Sequence, residues 1–104
     1  MSKMQRNKGR RGQTAAANLL KDRDWEIIET SAGMKVEDIV ATDPQGKRWS
    51  IEVKNHKHIK VEEFRKQAIE QAKKRNIDWM LMVKIACTSS WLIWKKNEKP
   101  VVWS

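Results

Sequence analysis

Two acidic residues and a lysine stand on either side of a strong turn signal. Asp38 precedes the turn at residues 43–46 (DPQG), and Glu52 and Lys54 follow it. Carboxylate oxygens are hard ligands that suit Mg²⁺ or Mn²⁺, and a neighbouring lysine can stabilise charge that builds on a phosphoryl group. These residue types indicate metal-dependent phosphodiester hydrolysis, provided that the fold brings them together.

The turn sets how its flanking strands pair. If its loop has three residues and ends in a left-handed Gly46, counting outward places Asp38 directly opposite Glu52. The Cβ atoms of opposite residues lie about 5 Å apart, and Lys54 is on the same face roughly 7 Å along the strand. Two carboxylates so close repel, and a bound divalent cation removes that penalty. The alternative is an exposed hairpin face with an ordinary Glu–Lys pair, because this spacing is common.

Hydrophobic periodicity predicts the elements that hold this hairpin. Apolar stripes at helical spacing predict helices from about Gly12 to Lys21 and from Val61 to Arg75. Apolar runs and period-two alternation predict five strands, at Trp25 to Thr30, Asp38 to Thr42, Lys47 to Asn55, Trp79 to Ala86 and Trp91 to Lys95. Residues 101–103 either add a short edge strand or dock against a partner. The order predicts one α/β domain over residues 1–104, with a central mixed five-stranded sheet flanked by helices.

The charge balance indicates the kind of partner. The net charge is +9, which implies a polyanion, either nucleic acid or an anionic membrane face. No helix sets a wholly apolar face against a wholly basic one, and no apolar run reaches the roughly 20 residues that span a bilayer, so a membrane partner is disfavoured. We expect a soluble cytoplasmic protein, in the host cytoplasm if the chain is viral. A single cysteine, Cys87, excludes an intrachain disulfide and a multi-cysteine zinc site.

The motifs around the hairpin resemble a known family. Asp38 followed by Glu52-Val53-Lys54 resembles the PD-(D/E)XK nuclease superfamily. The longer series of Lys8-Gly9, the first helix and the segments 31–33 (SAG), 36–41 (VEDIVA) and 46–54 (GKRWSIEVK) is similar to the archaeal-type Holliday junction resolvases. The likeness continues more loosely through the second helix and the last two strands. It implies a restriction-endonuclease-like core.

The resemblance also implies an activity. It implies a homodimer that binds a four-way DNA junction in recombination and repair and cuts two strands symmetrically with Mg²⁺, for which Mn²⁺ substitutes. Asp38 and Glu52 would bind the metal together with the backbone carbonyl of Val53. Lys54 would be the catalytic lysine, and Ser31 would lie beside the scissile phosphate.

The chain departs from the family pattern at Gln13. The family has a glutamate there, six positions into the Lys-Gly motif, and this glutamate completes the metal site. An amide oxygen can still bind a metal or hold a metal-bound water, but it adds no charge. We therefore expect weaker metal binding or slower catalysis. A less selective nuclease of restriction or repair type and a branched-DNA-binding protein without catalysis are the alternatives.

Basic residues are predicted to bind the DNA backbone. Residues 1–11 hold five lysines and arginines and no acid, which predicts a phosphate-binding basic arm, although a merely solvated arm has the same composition. The predicted DNA contacts, besides Ser31, are Arg6, Lys8, Arg10, Arg11, Lys35, Lys57 and Lys60. No element has the pattern of a base-reading helix, so specificity is expected from branch geometry. Trp49, Trp79 and Trp91 are predicted to be core, and Trp94 and Trp103 to lie at a dimer surface.

Overall fold

Two helices and six strands make up the part of the chain that the structure, a computed structural model, describes. It covers residues 3–31, 38–55 and 60–104, with the main chain alone for 3–12 and Ser31. The elements in chain order are α1 (Lys3–Asp22), β1 (Glu26–Ser31), β2 (Asp38–Thr42), β3 (Arg48–Lys54), α2 (Val61–Arg75), β4 (Asp78–Lys84), β5 (Trp91–Lys95) and β6 (Val101–Trp103). No helix within these ranges has the length and apolar character needed to cross a bilayer.

All six strands belong to one sheet in the order β1-β2-β3-β4-β5-β6. β3 and β4 are parallel and are connected through α2, whereas every other neighbouring pair is antiparallel. The predicted α/β class and mixed sheet are confirmed. The predicted count of five strands is wrong, because residues 101–103 pair with β5 as a sixth strand. The ends of β1, β3 and β4 differ from the prediction by one or two residues, as frayed strand ends do.

The first helix begins at Lys3 rather than Gly12, so the predicted basic arm is the first half of α1. The prediction relied on apolar periodicity, which starts only at the alanines. Lysine, arginine, glutamine and methionine nevertheless have high helix propensity, and they dominate residues 3–11. The helix ends at Asp22, and Asp24, two residues further on, has a left-handed φ of 68°. The Trp25 N–H then bonds to the Leu20 carbonyl at 3.0 Å.

Each helix covers one face of the sheet. On the α1 face, Ala16 and Leu20 pack against strand residues that include Ile39, Ile51 and Met80. On the α2 face, a smaller cluster is formed by Phe64, Ala68, Ala72, Trp79, Leu81 and Val83. Because side chains alternate along a strand, the odd-numbered residues of β2 and β3 face α1 and the even-numbered residues face α2. This division decides which helix lies beside Asp38, Glu52 and Lys54.

The tryptophans contribute to both faces. The three that were predicted to be core are buried, namely Trp49, Trp79 and Trp91. Trp94 and Trp103, predicted to lie at a dimer surface, are partly exposed and pack within the chain. Trp94 meets the Trp79 ring edge-on at 6.0 Å, and Trp103 meets Trp25 at 6.3 Å. These contacts give both rings a structural role inside the monomer.

Candidate active site

The β2–β3 hairpin has the predicted register. Asp38 lies opposite Glu52, and the pairing continues outward to the turn. Gly46 has a φ of 89°, which is the left-handed conformation that a three-residue loop requires at its last position. The two carboxylates are therefore cross-strand neighbours on one face of the sheet.

Asp43 fastens the turn that sets this register. Its carboxylate accepts hydrogen bonds from the main-chain N–H of Gln45 at 3.0 Å and of Lys47 at 2.8 Å, and from the Trp49 indole at 3.1 Å. Burial is the largest single influence on the pKa of Asp43 and acts to raise it. The three hydrogen bonds together, with the charge of Lys95, hold the pKa below its ordinary value of 3.8. The ionised side chain is thus a structural part of the turn.

The two opposed acids are almost fully withdrawn from solvent. Asp38 is 1% exposed and Glu52 is 3% exposed. They lie on the even-numbered face beside α2, with the apolar Leu81 of β4 next to Glu52 in register. Like charges at this separation in a poorly hydrated site repel strongly, so each needs a cation close by.

Lys54 supplies one of these cations. Its Nζ lies 3.5 Å from Glu52 Oε2 and 5.4 Å from the centre of the Phe64 ring, which belongs to the first half of α2. The Lys54 side chain is 13% exposed. A carboxylate on one side and an aromatic face on the other hold the ammonium beside the acidic pair.

Arg75 supplies the second cation, and the sequence prediction missed it. From the last turn of α2, its Nη2 lies 2.5 Å from Asp38 Oδ2, and its Nη1 donates to Ser50 Oγ at 2.8 Å. Ser50 is 1% exposed and shares the face of the two acids. The one signal in the sequence was indirect: two opposed carboxylates with one lysine leave a charge to be balanced.

Gln13 reaches the site from α1. Its Nε2 donates to the main-chain carbonyl of Asp38 at 2.8 Å, and the residue is 8% exposed. Gln13, which the sequence analysis assigned to the metal site, thus contacts the main chain of Asp38. This hydrogen bond joins the side-chain amide nitrogen of Gln13 to the main chain at the start of β2.

The donor set fits a hard divalent cation. Asp38 Oδ1 is buried and accepts no hydrogen bond from any residue in the described ranges, and Glu52 lies directly across from it. The same ranges contain no group of three or more acidic, histidine or cysteine side chains that could bind a metal. Two carboxylates would therefore need neutral oxygens beside them. The side chain of Val53 is buried on the α1 face, so this residue has only its main-chain carbonyl to offer.

The predicted DNA-binding residues lie in different parts of the chain, and two of them are outside the described residues. Arg6, Lys8, Arg10 and Arg11 belong to the part of α1 that precedes Gln13. Ser31 ends β1 opposite Asp38, and Lys60 is exposed one turn before Phe64. Lys35 and Lys57 lie outside the described residues.

Comparison of the whole chain with protein-family models and with curated proteins gives no match.

Proposed function

We propose that this protein is a metal-dependent DNA endonuclease that resolves four-way junctions, as the archaeal-type resolvases it resembles do. One observation carries the proposal. A buried Asp–Glu pair stands opposed across a hairpin, with a lysine on the same face two residues beyond the glutamate. A sheet gains no stability from opposed like charges, so their presence favours a chemical role.

Each residue has a distinct task in this proposal. Asp38 and Glu52 hold Mg²⁺, with the main-chain carbonyl of Val53 and a neutral oxygen from Gln13 as further candidates. The metal would polarise the phosphodiester and lower the pKa of an attacking water. Lys54 donates hydrogen bonds to the phosphate as negative charge builds on it.

The exposure gradient at the site suits an anionic substrate. The carboxylates are 1% and 3% exposed, whereas the side chains of Lys54 and Arg75 are 13% and 23% exposed. A phosphate that approaches from solvent therefore meets the two cations first. Attraction at the rim offsets the repulsion that buried acids would otherwise exert on DNA.

Charge on the larger scale supports a junction as substrate. A homodimer carries +18, twice the +9 of one chain, and duplex DNA presents about one negative charge per 1.7 Å of axis. The basic first half of α1 precedes Gln13, so a run of lysines and arginines leads directly into the residue that contacts Asp38. We propose that this half of α1 binds the backbone of a junction arm.

A second candidate is a branched-DNA-binding protein without catalysis. The observation that favours it is the Arg75–Asp38 ion pair, which balances the charge of Asp38 with a side chain of the protein itself. The neutral side chain of Gln13 also favours this candidate, because it adds no charge that would attract a metal. In this alternative the four charged side chains are a structural cluster.

Cleavage of a synthetic four-way junction separates the candidates. With Mg²⁺ we expect paired nicks placed symmetrically about the crossover. Asp38→Asn and Glu52→Gln should each lower the cleavage rate at least about a thousand-fold, because each removes a metal ligand. Asp78→Asn is the matched control. Asp78 pairs with Lys47 and Lys96 on the surface, and its replacement should leave cleavage intact.

Three other outcomes have definite meanings. Tight junction binding without cleavage in either Mg²⁺ or Mn²⁺ would favour the non-catalytic candidate. Equal cutting of linear duplex and junction would indicate a less selective nuclease. Undiminished cleavage by Glu52→Gln would refute the proposed active site.

A further inference from the structure

We infer that Arg75 and the divalent cation compete for Asp38, so that metal binding releases the guanidinium toward the substrate phosphate. The inference rests on the metal site of the proposed function and assigns a role to a residue that the metal site itself does not include. It follows from the charge, the anchoring and the exposure of four side chains.

The four charged side chains at the site balance one another. Asp38 and Glu52 carry two negative charges, and Arg75 and Lys54 carry two positive charges, so the formal charge of the cluster is zero. A dication added to all four would leave +2 beside carboxylates that are at most 3% exposed, which is costly in a poorly hydrated site. Departure of Arg75 lowers this excess to +1. The single charge of the phosphodiester then balances the released guanidinium, and the excess beside the carboxylates stays at +1, half of what it would be with Arg75 in place.

The guanidinium of Arg75 is attached in a way that permits exchange with a metal ion. Its two terminal nitrogens contact Asp38 Oδ2 and Ser50 Oγ, which leaves Asp38 Oδ1 as the oxygen without a hydrogen-bond donor among the described residues. A cation bound to the carboxylate draws on the same negative charge that holds Arg75. The two cations therefore weaken each other even if they contact different oxygens.

The side chain of Arg75 can move outward while its backbone stays in place. The backbone of Arg75 is fixed, because α2 ends immediately after it with a left-handed Asn76 and an Ile77 N–H that bonds to the Ala72 carbonyl at 3.2 Å. The side chain is long and 23% exposed. Rotation about its own bonds moves the guanidinium outward, where it can bind a phosphate with two parallel hydrogen bonds.

Mn²⁺ titration without DNA, followed by electron paramagnetic resonance, tests the competition. We expect Arg75→Met to bind Mn²⁺ at least about ten-fold more tightly than the wild type, because the competing charge is gone. Arg65→Met is the matched control. It removes the same charge from the same helix, where Arg65 pairs with Glu62 and lies over the Trp94 ring at 5.2 Å, and it should bind Mn²⁺ like the wild type.

A second variant keeps all four charges. Arg75→Met removes the cation that pairs with Asp38 and risks unfolding, whereas Ser50→Ala removes only the other anchor of the guanidinium. We expect Ser50→Ala to bind Mn²⁺ about five-fold more tightly, which is the fold-change that corresponds to one ordinary hydrogen bond. Mg²⁺ should also raise the melting temperature of Arg75→Met more than that of Arg65→Met.

The outcomes separate this inference from the proposed function. Equal Mn²⁺ affinity in wild type, Arg75→Met and Ser50→Ala would overturn the competition while leaving the endonuclease untouched. The expected order of affinities without junction cleavage by the wild type would support the competition and overturn the endonuclease. Failure of every variant to bind Mn²⁺ would overturn both.

Discussion

The ammonium of Lys54 is held from two sides, by the Glu52 carboxylate and by the ring of Phe64. A lysine so restrained loses little further freedom when it meets a phosphate, because its position is set before the substrate arrives. Its value in the proposed reaction is therefore greatest in the transition state, when negative charge on the phosphate is largest.

We expect Lys54→Met to slow junction cleavage about a hundred- to a thousand-fold under single-turnover conditions, since a donor to the developing charge is lost. Junction affinity should change little, because one phosphate contact among many is removed. Lys96→Met removes an exposed charge elsewhere and serves as the control. A loss of affinity that accounts for the whole loss of rate would show that Lys54 merely binds DNA.

Gln13 offers a sharper test, because the structure uses its amide as a donor to the Asp38 carbonyl. Gln13→Glu replaces that donor with a carboxylate and adds a third negative charge near Asp38. We expect it to lower stability by about 1–3 kcal/mol without metal and to raise Mg²⁺ affinity. Gln13→Met loses the donor without adding charge.

The two Gln13 variants should separate in a melting experiment. Both should melt below the wild type, and Mg²⁺ should raise the melting temperature of Gln13→Glu more than that of Gln13→Met. An unaltered metal titration in Gln13→Glu would remove this residue from the metal site and leave it a positioning role alone.

The hairpin was the element most open to prediction. A strong turn at residues 43–46 and a strict period of two along β3 are local signals, and together they fix the register that places Asp38 opposite Glu52. Both strands also keep their predicted positions to within a residue. The register of the hairpin and the positions of its strands could therefore be predicted from the sequence alone.

Arg75 could not be predicted in the same way. It lies 37 residues from Asp38 and 25 from Ser50, on a helix whose rotation over the sheet is decided by the packing of Phe64, Ala68 and Ala72. The sequence shows a basic last turn of α2, where lysine and arginine are favoured by the helix dipole in any case. Tertiary packing of α2 on the sheet determines which of those basic residues faces the sheet.

The conformation of Asn76 at the end of α2 can be tested by substitution. Asn76 has a φ of 57°, a left-handed conformation that strains residues other than glycine and, to a lesser degree, asparagine. We expect Asn76→Ala to lower the free energy of unfolding by about 1 kcal/mol and Asn76→Gly to change it little, as measured by urea denaturation. Equal stability of both variants would show that this conformation does not constrain the helix end.

Surface ion pairs contribute to acid stability across the molecule. Lys47 donates to Asp78 at 2.7 Å, and this contact is the main reason why the pKa of Asp78 lies below 3.8; burial opposes it, and the charges of Lys47 and Lys96 add to it. A carboxyl whose pKa is lowered by folding stabilises the protein above its unfolded pKa. That contribution is lost as pH falls through the lower, folded value.

We therefore expect the melting temperature of the wild type to fall as pH drops from about 4 toward 2. Asp78→Asn should start lower at neutral pH and decline less steeply over the same range, because its side chain no longer titrates. The measurement is a set of melting curves at constant ionic strength. Parallel pH profiles for the two proteins would mean that the Asp78 pairs contribute nothing measurable.

The opposed acids and their counter-charge come from parts of the chain that are far apart in sequence. Asp38 and Glu52 meet through a single short turn, whereas Arg75 arrives from a crossover helix 37 residues beyond Asp38. Local contacts close sooner than distant ones during folding, so the nascent hairpin has to bear its repulsion before α2 docks. The repulsion between the two carboxylates is then offset when α2 docks and brings Arg75 to Asp38. We therefore expect a divalent ion to speed refolding of the chain, because it can offset the same repulsion earlier.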